Sequence, residues 1–175
     1  VLDAPFAYAL AKGRGRYLCK LKLERLVGVG GADASADMFE PEEVAPPSKA
    51  AAGVDREERR FALYTSLATQ VATGRWDGDR DSLAEQPEAS DWSAVAAERH
   101  SCTVRHCPRF RDCSYYTARS QLAQAQVIVA NHDLVLASLG RNALPELDNC
   151  LVVFDEAHHL PAVALDQFAS AGPSG

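Results

Sequence analysis

Apolar and polar residues follow two different periods along the chain. In residues 56–74 the apolar side chains recur at near-helical spacing, which predicts an amphipathic helix that stops at its final glycine. Two compact apolar runs, QVIVA at 126–130 and CLVVF at 150–154, predict strands that are buried on both faces. Helical patterns occur at 115–125 and 133–140. Buried strands that alternate with helices predict a parallel α/β sheet.

The first part of the chain has weaker patterns. Residues 5–11 are apolar and predict a short strand or helix, and residues 21–29 predict a helix that ends in the glycine-rich stretch that follows. Residues 30–55 are mainly Gly, Ala, Pro and acidic residues, which predicts a flexible acidic surface loop. Residues 92–100 predict a helix that leads into the cysteine-rich segment.

The net charge of −6 is unevenly distributed. Residues 1–32 contain six basic and two acidic side chains, whereas residues 33–98 contain six basic and fifteen acidic ones. Residues 99–119 contain five basic side chains and one acidic one, and residues 120–175 contain one basic and six acidic. The two basic segments hold four of the five cysteines. A site that joined them would create a basic patch suited to a nucleic-acid backbone, although each segment alone is equally consistent with a solvated face.

Three cysteines lie close together in the sequence CTVRHCPRFRDC. Cys102, Cys107 and Cys113 are separated by four and then five residues. The N-terminus has no basic region before its apolar stretch, so we expect a reducing cytoplasmic location, where clustered cysteines bind metal more often than they form disulfides. A disulfide framework is the other interpretation. Zinc is an alternative metal because His100 and His106 are neighbours, but the C-x2-C pairs typical of zinc are absent and the wider gaps favour a larger cluster.

The apolar run at 151–154 ends in two adjacent carboxylates at the start of the sequence DEAH. Ligands bind at the carboxyl ends of the strands in an open α/β sheet. In a nucleoside triphosphatase, Asp155 would hold Mg²⁺ through its water shell, Glu156 would orient and deprotonate the attacking water, and His158 would couple the nucleotide state to the motor. The alternative is a strand followed by a helix with an acidic first turn. Asn131 and His132 follow the strand predicted at 126–130 and would sense nucleotide or DNA; the alternative is that Asn131 caps the next helix.

Five motifs occur in a fixed order along the chain. They are KGRGRYLC at 12–19, C-x4-C-x5-C at 102–113, AR at 118–119, VIVANHDLVLASL at 127–139 and VVFDEAHHLP at 152–161. Together they resemble the DinG branch of the iron–sulfur helicases, relatives of the XPD family in helicase superfamily 2. The C-terminal stretch is most similar to the YoaA-type members. The resemblance covers nearly the whole chain apart from the acidic loop.

The resemblance implies a domain order and a metal centre. Residues 1–18 and 114–175 would be parts of a RecA-like motor domain with a parallel sheet, and residues 19–113 an inserted, mainly α-helical iron–sulfur domain. It also implies that Cys19 joins the three clustered cysteines as a ligand of a [4Fe–4S] cluster, which usually has four cysteine ligands. Cys150 lies outside this set, and we expect it to be a buried small hydrophobic residue.

The resemblance further implies the activity of an ATP-dependent DNA helicase. Such an enzyme would hydrolyse ATP with Mg²⁺, move 5′ to 3′ along single-stranded DNA and part forked DNA, with the cluster domain at the junction. No G-x-x-x-x-G-K-[ST] loop occurs in these residues, so we expect the chain to be a fragment of the first motor domain and inactive alone. The alternative is a zinc or iron–sulfur module that binds DNA or senses redox state without motor activity. No apolar run reaches the roughly 18 residues of a membrane span, so no membrane partner is expected, and protein partners are not predicted.

Several side chains are candidates for contacting DNA. The cations of the glycine-containing turn would contact phosphates, and Tyr17 would stack on a base. Tyr17 fits core packing beside a cysteine ligand equally well. Arg119 would contact DNA, compensate the charge of the cluster or lie exposed on a helix. The full set of candidates is Lys12, Arg14, Arg16, Tyr17 and Arg119.

Overall fold

The computed structural model describes residues 5–33, 50–141, 144–145 and 149–169. It divides the chain into two compact units, and each has its own hydrophobic core. Val1–Gly13 and Thr117–Gly175 form one unit, which we call the sheet unit, and Arg14–Tyr116 form the other, which we call the cysteine unit. The predicted domain boundaries lie within five residues of these divisions. The identification of the units as motor and iron–sulfur domains stays a prediction.

Most of the periodic segments form the predicted elements. The helices near 56–74, 115–125 and 133–140 and the strand at 126–130 are confirmed, and residues 5–11 contain a strand rather than a helix. Among the described residues, no helix combines the length and apolar character needed to cross a lipid bilayer. The elements are β1 (Tyr8–Ala11), α1 (Lys20–Asp33), α2 (Ala50–Ala72), α3 (Ala89–Val95), α4 (Ser114–Leu122), β2 (Val127–Ala130), α5 (His132–Arg141) and α6 (Leu160–Ala169).

The sheet unit is built on the parallel pair β1–β2. Tyr8 lies opposite Val127 and Ala11 lies opposite Ala130, so the predicted parallel pairing is confirmed for these strands. The side chains that pack behind the pair are small or aliphatic. They include the buried Ala11, Leu122 and Leu144 and the partly buried Ile128, Leu134 and Val135.

The helix after β2 starts with a side-chain cap. The backbone N–H of Leu134 donates to Asn131 Oδ1 over 3.0 Å, which satisfies one of the donors left free at a helix N-terminus. The capping interpretation of Asn131 is therefore confirmed.

The predicted buried strand at 150–154 is wrong in this structure. Residues 151–154 have no strand assignment, and Leu151 and Val153 are 90% and 79% exposed. Cys150 is also exposed, so its predicted burial is wrong. A strand buried on both faces needs neighbouring strands and covering helices. The only strands among the described residues are β1 and β2, and they pair with each other.

The cysteine unit has an aromatic and aliphatic core. Leu18 and Val95 are fully buried, and the rings of Trp76 and Trp92 meet edge to face with centroids 6.3 Å apart. Both indole N–H groups are satisfied, because Trp92 donates to the carbonyl of Gly15 over 2.6 Å and Trp76 donates to that of Asp79 over 2.8 Å. α1 packs against α2 and α3 around this core.

Tertiary pairing ends α3 earlier than its sequence predicts. Ala96 has an extended backbone and forms an antiparallel bridge with Leu18. The N–H of Cys19 donates to the carbonyl of Val95 over 2.7 Å, and the N–H of Ala97 donates to that of Tyr17 over 2.8 Å. The predicted helix over 92–100 is therefore wrong beyond Val95, because pairing with Leu18 replaces helical hydrogen bonds.

The acidic loop predicted at 30–55 is wrong at its two ends, where the structure has helices. α1 continues to Asp33, and α2 already begins at Ala50. The remainder of that prediction, residues 34–49, lies outside the described residues.

Candidate metal centre and DEAH motif

Four cysteines of the cysteine unit line one cavity of about 100 Å³. They are Cys19, Cys102, Cys107 and Cys113, and all four are partly buried. None of the chain's five cysteines forms a disulfide, so the structure does not contain the disulfide framework that the sequence left open. The structure brings together all four cysteines predicted as ligands, although 82 residues separate the first from the second.

The first cysteine is held by the core of the unit. Cys19 lies between the fully buried Leu18 and the start of α1, and its carbonyl accepts from the N–H of Leu23 over 3.1 Å. Its own N–H is fixed by Val95, as described above. The backbone at Cys19 is thereby fixed on both sides.

The other three cysteines lie on successive tight turns. The N–H of Cys107 donates to the carbonyl of Val104 over 3.0 Å, the N–H of Phe110 donates to that of Cys107 over 3.0 Å, and the N–H of Cys113 donates to that of Phe110 over 3.4 Å. Val104 has a φ of +50°, an unusual backbone state for a β-branched residue. These turns, which include the 3₁₀ helix Val104–His106, bring the three cysteines to the cavity without an α-helix or strand.

A close contact outside the cavity joins the two cysteine-bearing segments. The turn at Gly78 has a φ of +89°, and its carbonyl accepts from the N–H of Leu18, next to Cys19, over 2.8 Å. Ser114, next to Cys113, is 5% exposed and lies directly against Gly78. A Cβ atom at Gly78 would lie 2.1 Å from Ser114 Oγ, so only glycine fits.

Cations surround the cavity, and several are paired with carboxylates. Lys22 Nζ lies 2.9 Å from Glu98 Oε2, and the hydrogen bond from Lys22 holds the pKa of Glu98 below its ordinary value. Arg109 pairs with Glu24, and that hydrogen bond raises the pKa of the guanidinium. The cavity is lined by Arg14, Lys20, Lys22, Arg25 and Arg109, with Glu98 as its carboxylate.

Arg14 contacts aromatic rings. Its guanidinium carbon lies 4.2 Å from the centroid of the Tyr115 ring and 5.6 Å from that of Tyr116, which is cation–π geometry. Burial lowers the pKa of Arg14, but a hydrogen bond to Tyr116 and the neighbouring tyrosines and Cys102 outweigh it, so the pKa is raised overall. The Tyr115–Tyr116 pair was not predicted from the sequence as part of this site, and two consecutive aromatic residues just after Cys113 were the signal that could have indicated it.

The other predicted DNA contacts lie in different environments. Tyr17 is 6% exposed and packs its ring edge against Tyr115 with centroids 5.7 Å apart, so the core-packing interpretation describes it and its ring is not presented for stacking. Arg16 is exposed and pairs with Asp81 over 3.2 Å. Lys12 and Arg119 are partly buried residues of the sheet unit.

The two histidines considered as zinc ligands are not part of the cavity. His100 and His106 are both exposed, and neither is among the residues that line it. The possible metal ligands that line the cavity are therefore the four thiols and the carboxylate of Glu98.

The DEAH residues form an exposed turn in the sheet unit. Glu156 has φ 49° and ψ 41°, and its N–H donates to Asp155 Oδ1 over 3.0 Å. His158 Nδ1 lies 3.3 Å from Glu156 Oε2, and the rings of His158 and His159 have centroids 4.0 Å apart. The described part of the chain contains one group of three or more possible metal ligands whose donor atoms all lie within 4.8 Å of one another. Its members are Glu156, His158 and His159. Asp155 lies outside that group, and no role was predicted for His159.

Comparisons with known proteins match both units. The DEAD_2 family model matches residues 93–171. A protein named ATP-dependent DNA helicase DinG from Photobacterium profundum is 37% identical over 172 residues, which are 97% of this chain and 22% of that protein. Proteins of the same name from Escherichia coli and Salmonella typhimurium are each 34% identical over 160 residues, 91% of this chain and 21% of theirs. The chain spans about a fifth of the length of the curated relatives it matches.

Proposed function

We propose that this chain belongs to the DinG family and forms the iron–sulfur-bearing part of the first motor domain of an ATP-dependent DNA helicase. The observation that carries the proposal is the convergence of Cys19 with Cys102, Cys107 and Cys113 on one cavity. The parallel pair β1–β2 is compatible with part of a RecA-like sheet. The cysteine unit would be the insertion, and the finer placement among YoaA-type members stays a prediction.

The donor set fits a [4Fe–4S] cluster. Four cysteine thiolates are the usual ligands of such a cluster, and the four thiols of the cavity meet that number without help from histidine. The partly buried basic side chains around the cavity would offset the negative charge of four thiolates; they are Arg14, Lys20 and Lys22. When bound, the cluster would supply covalent links between Cys19, which directly precedes α1, and the turns at 102–113, which lie far from it in the sequence.

The spacing of the thiols favours a cluster over a single zinc ion. Zinc–sulfur bonds of about 2.3 Å hold tetrahedral thiolates about 3.8 Å apart. Among the described residues, no three of the cysteine Sγ atoms lie within 4.8 Å of one another.

We assign nucleotide chemistry to the DEAH turn. Asp155 would hold Mg²⁺ through water, Glu156 would orient and deprotonate the water that attacks the γ-phosphate of ATP, and His158 would couple this site to movement. The 3.3 Å contact between His158 and Glu156 supports a shared role. Exposed apolar residues just before the turn, such as Leu151, support the idea that further strands cover this segment in the complete enzyme.

Single-stranded and forked DNA are the proposed partners, with movement 5′ to 3′. Among the predicted contacts, Arg16 has the exposure that best suits binding to a DNA phosphate. Its ion pair with exposed Asp81 is weak enough for a phosphate to replace the carboxylate. Lys12 and Arg119 stay candidates, whereas the contacts of Arg14 and Tyr17 give those two side chains positions inside the cysteine unit. The cytoplasmic location also stays a prediction.

Anaerobic purification of the chain tests the metal centre. We expect a brown protein with broad visible absorbance and stoichiometric iron and sulfide. Substitution of Cys107 by serine should abolish the colour, whereas Cys150→Ser, which changes a cysteine outside the cavity, should retain it. A colourless protein that contains zinc would overturn the assignment.

A second experiment separates a motor from a binding module. In the full-length enzyme, Glu156→Gln should abolish DNA-stimulated ATP hydrolysis while DNA binding persists. The chain alone should show negligible ATPase activity. A zinc or iron–sulfur module that only binds DNA or senses redox state would lose nothing when Glu156 is replaced.

A further inference from the structure

We propose that Tyr115 and Tyr116 are positioning residues that hold the guanidinium of Arg14 beside the cysteine cavity, where its charge raises the reduction potential of the cluster. This inference rests on the proposed iron–sulfur function and adds a device that sets how readily the centre accepts an electron. It assigns Arg14 a role different from the phosphate contact predicted from sequence.

The aromatic residues form a continuous support for Arg14. The ring of Tyr115 contacts that of Tyr116 with centroids 5.1 Å apart, and Tyr116 in turn contacts Phe110 at 4.8 Å. Tyr115 also contacts the buried ring of Tyr17, with centroids 5.7 Å apart. Arg14 lies over this row with its guanidinium carbon 4.2 Å from the centre of Tyr115, so the position of the charge is fixed by packed rings.

Arg14 also differs in its partners from three of the other cations of the cavity. Lys20, Lys22 and Arg109 each pair with a carboxylate, which offsets part of their charge. Among the described residues, no carboxylate pairs with Arg14, and its contacts are tyrosines. Its positive charge therefore remains available to the thiolates.

The sign of the effect follows from the charge of the cluster. Reduction adds one negative charge to a centre that already has four thiolate ligands, and a nearby cation stabilises the reduced form more than the oxidised form. Net charge and solvent exposure are among the factors that set iron–sulfur potentials. Arg14 is partly buried, so solvent screens it less than an exposed cation such as Arg25.

Redox titration of the chain with its cluster assembled tests the proposal. The midpoint potential is measured by visible absorbance and electron paramagnetic resonance for the wild type, Arg14→Gln, Arg14→Lys and Tyr115→Leu. Arg25→Gln is the matched control, because Arg25 lines the same cavity but is exposed and has no ring contact in the described part of the chain. Iron and sulfide content is measured for every variant.

We expect Arg14→Gln to lower the equilibrium constant for reduction of the cluster about tenfold. For a one-electron couple this makes the midpoint potential about 59 mV more negative. Arg14→Lys should recover part of the shift, and Tyr115→Leu should produce a smaller shift of the same sign. Combining Tyr115→Leu with Arg14→Gln should add nothing to Arg14→Gln alone, because the ring acts through the guanidinium. Arg25→Gln should change the equilibrium constant for reduction of the cluster less than threefold.

The possible failures are distinguishable. A wild-type chain without iron and sulfide contradicts the proposed function itself. A loaded wild type in which Arg14→Gln behaves like Arg25→Gln, or in which the effects of Tyr115→Leu and Arg14→Gln add, overturns the positioning role while leaving the cluster assignment intact. If Arg14→Gln does not retain iron, the potentials of Arg14→Lys and Tyr115→Leu decide the question.

Discussion

Replacing Gly78 with alanine should destabilise the cysteine unit, because the new methyl group has no room. Its Cβ would lie 2.1 Å from Ser114 Oγ, 2.7 Å from Ser114 Cβ and 3.4 Å from Leu18 Cβ. Leu18 is fully buried and Ser114 is 5% exposed, so neither neighbour can move into solvent. The same turn also joins the segments that carry Cys19 and Cys113.

Two unfavourable free-energy terms add in Gly78→Ala. An alanine at a φ of +89° is strained by about 1–2 kcal/mol, and forcing a methyl group into a filled site costs about 1–3 kcal/mol more. Gly74→Ala is a matched control, since Gly74 has a φ of +68° but nothing within 4 Å of its added Cβ. Alanine restricts the unfolded chain by a similar amount, about 0.4–1 kcal/mol, at both positions. The difference between the two variants, about 1–3 kcal/mol, therefore measures the steric term.

Urea unfolding followed by tryptophan fluorescence measures this difference directly. The chain has two tryptophans, and both lie in the core of the cysteine unit, so the signal reports on that unit. Adding Ser114→Gly to Gly78→Ala removes both clashing atoms of Ser114. The double variant should then lose less stability than the sum of the two single changes.

Equal stability of Gly78→Ala and Gly74→Ala would refute the steric argument. Strict additivity of the Gly78 and Ser114 changes would refute it as well, since the two residues would then not be in contact. Iron retention provides a separate measurement, and we expect Gly78→Ala to lose its cluster more readily than Gly74→Ala.

Three other contacts can be tested one at a time. Leu18→Ala should cost about 2–5 kcal/mol in the same fluorescence assay, whereas Leu26→Ala, at a side chain that is 37% exposed, should cost much less. Glu98→Gln should lower the free energy of unfolding at neutral pH, because Lys22 depresses the pKa of Glu98 in the folded state. Urea titrations should show the full difference between wild type and variant above the ordinary glutamate pKa of about 4.3. The difference should disappear as the pH falls through the lower pKa of the folded state. A difference that does not depend on pH would contradict this pairing. Asn131→Ala should lower the free energy of local opening of the first α5 amides by about 1 kcal/mol, as measured by hydrogen exchange. Asn131→Ser keeps a capping oxygen and should leave that free energy nearly unchanged.

Elements with a local pattern could be predicted from the amino-acid order alone. A helix needs only one apolar stripe and a strand such as β2 needs only a β-branched run, so α2, α4, α5 and β2 were predictable from short windows. The number and spacing of the cysteines and the order of the five motifs also carried the resemblance to DinG helicases and predicted the four thiols that the structure brings together. These properties are fixed by residue type and position, and they do not depend on how distant segments meet.

Features that depend on distant partners could be read only from the folded chain. α3 ends at Val95 because Ala96 pairs with Leu18, which lies 78 positions earlier in the sequence. The run at 151–154 is exposed because a buried strand requires neighbours that the described residues do not supply. Arg14 lies on Tyr115 because folding brings a basic turn and an aromatic pair to the same cavity, and no local pattern encodes the 4.2 Å between them.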